Sequence, residues 1–133
     1  MTIFIDTSAL LALINSKDEF HKSALNFVKQ YHPDLVTSSW VIEEFISHLH
    51  ARYGVKEAYN GTDFIKDLKA LKIVYLDKEK LDKIFSIYHE KGSSRISLVD
   101  VSNVVIMKDE SLKEIFSFDR QFASVFRLTV LPD

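Results

Sequence analysis

The residues of this sequence that could do chemistry together are mostly acids. Two apolar runs, Ile3-Phe4-Ile5 and Phe116-Ser117-Phe118, each end on an aspartate, Asp6 and Asp119, and turn at once into a helical pattern. In open α/β sheets ligands bind outside the carboxyl ends of the strands, so an acid at such an end faces the ligand. The commonest work for an aspartate there is to cap the following helix, and each position taken singly fits that role. The stretch Leu98 to Lys108 has apolar residues nearly all round a helix axis (Leu98, Val99, Val101, Val104, Val105 and Ile106), which predicts burial on most sides. Its polar residues do not scatter: Asp100 and Asn103 share one narrow face with Met107. A carboxylate on such a helix is costly unless it is paired or coordinates a metal. Ser97 and Asp100 have capping-box spacing, which accounts for an acid at 100 but not for Asn103 on the same face. A further helix, from Trp40, carries Glu43 and Glu44 on opposite flanks of its apolar stripe, and periodicity does not choose between them. Acids from four separate elements, with no Cys and no HxxxH pair, suit a hard divalent cation. Mg²⁺ and Mn²⁺ prefer carboxylate oxygens and keep waters for substrate phosphates. Such a site can activate a water and offset charge on phosphorus during in-line attack.

The rest of the composition narrows the classes. The 133 residues fit one domain, read here as 1–133, and 47% apolar residues with ten Phe can bury a sizeable core. Three Gly and two Pro argue against a turn-dense β-sandwich. The absence of Cys excludes disulfide scaffolds, thiol catalysis and Cys-ligated metal, and suits a reducing cytoplasm. The longest apolar run, Ala9 to Ile14, is far short of a membrane span, and no signal peptide is expected. A net charge of −2 excludes a bulk-basic nucleic-acid binder but leaves room for a local phosphate-binding patch.

The elements that must hold these acids alternate. Strands are predicted over Thr2–Ile5, Leu35–Thr37, Lys72–Leu76, Glu114–Phe118 and Arg127–Leu131. Between them, helices run from Ser8 to Asn15 and, after a capping-box spacing at Ser16–Glu19, through Phe20 to Tyr31. Others follow from Trp40 to Arg52, to about Ala70 with an interruption at Gly61, from an N-cap at Asp77 to a stop at Gly92, and from Ser97 to Lys108. Strands alternating with helices of this length mean βαβ units and a mainly parallel sheet of about five strands.

In order, Ile5-Asp6-Thr7-Ser8-Ala9, Thr37-Ser38 through Val41-Ile42-Glu43-Glu44, Leu98-Val99-Asp100-Val101-Ser102-Asn103 and Ser117-Phe118-Asp119-Arg120-Gln121-Phe122 resemble the PIN-domain family, with the nearest likeness to the small VapC-type toxins. The likeness spans Ile3 to Leu131. It implies a three-layer α/β/α fold and metal-dependent endoribonuclease activity. Its acids match Asp6, Glu44, Asp100 and Asp119, which the resemblance makes both catalytic residues and ligands of Mg²⁺ or Mn²⁺. Thr7, Ser8 and Asn103 match supporting positions. The resemblance further implies an antitoxin partner and a homodimer. Arg95 and Arg120 flank the expected site as candidates for RNA phosphates. His48, one turn from Glu44, reads as a helix-surface histidine, because a hard-ion site has no need of imidazole.

Two other enzyme-like readings fail on single residues. A haloacid-dehalogenase-type phosphatase needs an acid two residues after its nucleophile, where this chain has Ser8. A receiver domain needs paired acids near the first strand and a Lys at a late strand end, and neither is present. A catalytically silent PIN-like module, holding RNA or protein without cutting it, differs from a nuclease in needing no metal for turnover.

Overall fold

A computed structural model describes residues 1–133 of the protein. In chain order the elements are β1 (Thr2–Ile5), α1 (Thr7–Ile14), α2 (His21–Tyr31), β2 (Asp34–Ser38), α3 (Ser39–Tyr53), α4 (Val55–Asp67), β3 (Lys72–Val74), α5 (Lys78–Lys91), α6 (Leu98–Asp109), β4 (Glu114–Phe116), α7 (Gln121–Ser124) and β5 (Thr129–Leu131). The strands form one sheet in the order β3-β2-β1-β4-β5, and all four pairings are parallel. The central strand β1 is Thr-Ile-Phe-Ile, with Ile3, Phe4 and Ile5 fully buried. A strand covered on both faces reads as a continuous apolar run rather than an alternation, and this one does. Right-handed crossovers place α1 to α4 on one face and α5 and α6 on the other, giving the three layers. Helix contacts follow that division: α1 packs on α2 and α3, α3 on α4, and α5 on α6. The main core centres on Phe4, Phe45, Phe116 and Phe122; a smaller cluster of Ile84, Ile96, Val101 and Val105 lies beneath α5 and α6. No helix is long and apolar enough to cross a membrane.

The structure corrects the sequence reading in a few places. The capping-box spacing at Ser16–Glu19 is not used. Helix α2 starts later, after Phe20, without a side-chain cap. The side chains of Asn15 and Asp18 instead accept the backbone N–H groups of Lys17 and Phe20, so two local turns take the place of a helix start. Gly61 does not interrupt α4. The helix is continuous, and Gly61 is buried where α4 crosses α3: a Cβ there would lie 2.5 Å from Leu49 Cδ1 and 3.0 Å from Ile46 Cδ1. Strands β3, β4 and β5 are shorter than expected, and the helical pattern after Asp119 yields only the four-residue α7. Arg127, expected to open the last strand, has a left-handed φ of 58° and so turns the chain into it.

Candidate active site

Strand order reverses between β1 and β4: the chain steps outward from β1 to β2 and β3, then returns to the other side for β4 and β5. A crevice at such a switch point is where open α/β sheets hold ligands. Asp6 leaves the end of β1 at this point. Register pairs Ile5 with Phe116, and the Asp6 N–H donates to the Phe116 carbonyl, so Asp6 and Ser117 are the next residues off adjacent strands. The Asp6 carboxylate is buried and fully engaged. Its Oδ1 accepts from Ser8 Oγ (2.8 Å) and caps α1 through the Ala9 N–H, while its Oδ2 accepts from Ser117 Oγ (2.6 Å). Burial pushes its pKa up to about 6; the bonds from Ser117, Ser8 and Ala9 oppose that rise, and the charge on Asp100 adds to it.

The hydroxyls also organise the β4 end. Ser8 Oγ accepts the Phe118 N–H and Ser117 Oγ accepts the Asp119 N–H, which locks the loop carrying Asp119 onto α1. Ser117 is a site residue that the sequence reading missed. The available signal was a hydroxyl inside an otherwise apolar strand run, since a buried hydroxyl requires a partner. Asp119 is not a helix cap as such: its Oδ1 accepts the Gln121 N–H in a turn, and α7 begins after Arg120.

Asp100 shows that the capping and clustering readings are compatible. With Ser97 it forms both bonds of a capping box at the start of α6. Its pKa is nevertheless raised, first by burial against the opposing bonds from Ser97, then by the charges of Asp119 and Glu44. Of the two adjacent glutamates on α3, Glu44 accepts a 2.6 Å bond from Thr7 Oγ1. Glu43 makes no such contact with α1 and lines a cleft of about 330 Å³ with Trp40, Glu44, Ser47, Leu98 and Val99. One turn beyond Asp100, Asn103 is buried, and its Oδ1 is a buried side-chain oxygen with no hydrogen-bond donor.

The basic candidates are placed differently. Arg120 donates to the carbonyls of Val130 and Pro132, which ties it to the end of the sheet, and it also borders a cleft of about 890 Å³ that reaches Ser8 and Asp119. Arg95 is exposed in the connection between α5 and α6 and lines neither cleft. His48 is on the helix surface, as expected, and its surface faces the larger cleft.

A sequence model of the PIN domain matches residues 3–128. The chain belongs to the PIN-domain family. Over 132 residues, 98% of this PIN domain and 99% of the relative, it is 25% identical to the 23S rRNA-specific endonuclease VapC20 of Mycobacterium tuberculosis. Its fold superimposes on the crystal structure of that same sarcin–ricin loop cleaving toxin with a TM-score of 0.83, at 22% identity over 92% of this chain and 93% of the other. It also matches FitAcB from Neisseria gonorrhoeae (TM-score 0.70, 14% identity, 99% and 97% covered). A third match is VapBC2 from Rickettsia felis bound to a DNA fragment from their promoter (TM-score 0.67, 15% identity, 98% and 97% covered). The expected α/β/α architecture with five central strands is the one this PIN domain has.

As the side chains stand, no three acidic or imidazole groups converge tightly enough to hold an ion. The donor chemistry still fits a hard cation. Asn103 contributes a buried oxygen with no donor, Asp100 feels the charges of Glu44 and Asp119, and none of Asp6, Glu44, Asp100 or Asp119 has a Lys, Arg or His ion-pair partner.

Proposed function

We propose that this PIN domain is an Mg²⁺- or Mn²⁺-dependent endoribonuclease and the toxin of a toxin–antitoxin pair, acting in the cytoplasm. The observation that carries the reading is electrostatic: acids from four elements share one field at the sheet's switch point with no protein cation to balance them. Likeness to VapC20 supports RNA as substrate, and likeness to toxin–antitoxin structures supports an antitoxin partner; a homodimer is proposed on the family resemblance.

In this reading Asp6, Glu44, Asp100 and Asp119 hold the metal, with the Asn103 oxygen beside them. When bound, the ion supplies an activated water and a positive charge against the scissile phosphate. The chain's own work is positioning. Ser8 and Ser117 each fix one oxygen of Asp6, Thr7 fixes one oxygen of Glu44, and Ser97 holds Asp100 by its backbone N–H. Groups that orient ligating carboxylates in this way raise metal affinity and hold the ligands ready.

The test is incubation with total cellular RNA, with and without Mg²⁺ or Mn²⁺, followed by mapping of the cleaved ends. Metal-dependent internal cuts support the proposal, and RNA left intact under both conditions refutes it. Glu44→Gln should abolish cleavage while Glu43→Gln leaves it nearly intact. Loss only in Glu43→Gln would reverse the register on α3.

A further inference from the structure

Two clefts reach the carboxylates, and they differ in charge. The smaller, between α3 and α6, has two glutamates and an otherwise apolar or neutral lining that includes Trp40, Leu98 and Val99. A phosphodiester strand entering it would meet only like charge. The larger, about 890 Å³, runs from Ser8 and Asp119 between the α1–α2 connection and α3, and carries Lys17, His48, Arg52 and Arg120. Asp18, Glu19 and Asp119 also line it and offset Lys17, Arg52 and Arg120 in number, so this cleft is near neutral where the smaller one is net negative. Neither Lys17 nor Arg52 is used in an ion pair, so both are free to meet phosphate.

Tyr53, a residue 47% exposed, also lines this cleft. An exposed aromatic on a helix end would ordinarily swing, but this one is fixed from two elements. Its hydroxyl accepts from Asn15 Nδ2 at the end of α1 (3.1 Å) and from Arg52 Nε (3.2 Å). The Arg52 guanidinium carbon lies 5.7 Å from the ring centroid. An exposed ring held in place beside unpaired cations is the arrangement that binds single-stranded nucleic acid, with bases stacked on π-faces and phosphates tracked by charge.

We propose that this cleft seats the RNA strand next to the cleaved bond, with one base stacked on Tyr53 and the backbone held by Lys17, His48 and Arg52. The proposal rests on the ribonuclease reading for its substrate, and it assigns the strand a side: along α3 away from α6. It also gives His48 a place beside the strand rather than a part in the chemistry.

The experiment is binding of a fluorescent single-stranded RNA to the full chain in chelator, where no cleavage occurs, followed by steady-state cleavage with Mn²⁺. Tyr53→Ala should weaken binding and raise KM by roughly fivefold or more, the scale of one base–aromatic stack, with kcat little changed. Tyr53→Phe keeps the ring but loses both anchoring bonds, and should fall between Tyr53→Ala and wild type. Arg52→Ala should lower the salt dependence of binding by about 0.7 in log–log slope, one phosphate contact on a single strand. Lys108→Ala, an exposed cation on α6 that borders neither cleft, controls for charge loss alone. Equal binding by wild type, Tyr53→Ala and Arg52→Ala overturns the proposal, as does a Lys108→Ala loss matching Arg52→Ala. The two readings fail separately. Cleavage with no effect at Tyr53 or Arg52 leaves the nuclease and removes the cleft; tight binding lost at Tyr53, with no cleavage in any metal, keeps the cleft and removes the nuclease.

Discussion

Ser117 Oγ donates to Asp6 Oδ2 at 2.6 Å, although the two residues are 111 positions apart in the chain. The bond spans adjacent strand ends and fixes one of the two oxygens of the most deeply buried acid in the site. Ser117→Ala should therefore reduce metal affinity or cleavage by about 10- to 100-fold, the usual effect of removing a group that orients a ligand. Metal titration by calorimetry, with cleavage rates alongside, checks this. An unchanged metal affinity and rate would show that Ser117 only holds the loop.

The pH dependence of stability follows from Asp6. Its folded pKa, about 6, lies above the ordinary carboxylate value of 3.8, so between those two values the folded state holds a proton that the unfolded state has released. Stability then falls as pH rises through this window, and the loss is complete above the folded pKa. Asp6→Asn removes the titration while retaining an oxygen to cap α1. In chelator, the stability of Asp6→Asn relative to wild type should grow from pH 4 to pH 6 and level off, with a total on the order of 3 kcal/mol. Denaturant melts across that range measure it; a difference independent of pH would show that Asp6 is not the group responsible.

Asp100 distinguishes a metal ligand from a helix cap. Neutralising it removes repulsion with Asp119 and Glu44, so Asp100→Asn should melt at or above the wild-type temperature in chelator and cleave no RNA. Mg²⁺ or Mn²⁺ should raise the wild-type melting temperature and raise that of the mutant less. A pure cap predicts a loss of roughly 0.3–1 kcal/mol in the mutant and no response of the wild type to metal. Thermal melts with and without ion separate the two.

Gly61 tests the packing that supports Glu44. In a free helix Gly→Ala gains about 1 kcal/mol, but here the new methyl meets Leu49 at 2.5 Å, and Leu49 is itself buried. Overpacking of this kind costs about 1–3 kcal/mol, so Gly61→Ala should be destabilising overall. A higher melting temperature would mean that α4 can move off α3 without penalty.

Three of the candidate acids sit at element boundaries that sequence marks locally. Asp6 and Asp119 end strand-like runs, and Asp100 pairs with Ser97 at cap spacing. The order β3-β2-β1-β4-β5, which makes those boundaries neighbours, is not local, and the resemblance supplied only the three layers and the parallel sheet. Adjacent Glu43 and Glu44 were indistinguishable by periodicity because their difference lies in a hydroxyl on another helix, Thr7. The start of α2 was misplaced for a related reason. Asn15 and Asp18 compete for the same backbone donors that a cap at Ser16 would need, and spacing alone does not say which acceptor wins. Tyr53 carried no signal, since one of the two bonds that fix its ring comes from Asn15 at the end of α1.

The central position of β1 has a consequence for how the chain is made. The strand that leads into Asp6 is made well before β4, which covers its other edge and leads into Ser117 and Asp119. A nascent chain halted before Ser117 contains Asp6, Glu44 and Asp100, but β1 then has β2 on one side and an open edge on the other. Contacts this distant in sequence close late in folding. Under the ribonuclease reading, the chain can therefore cut RNA only after the segment through Asp119 has been made and β4 has docked against β1.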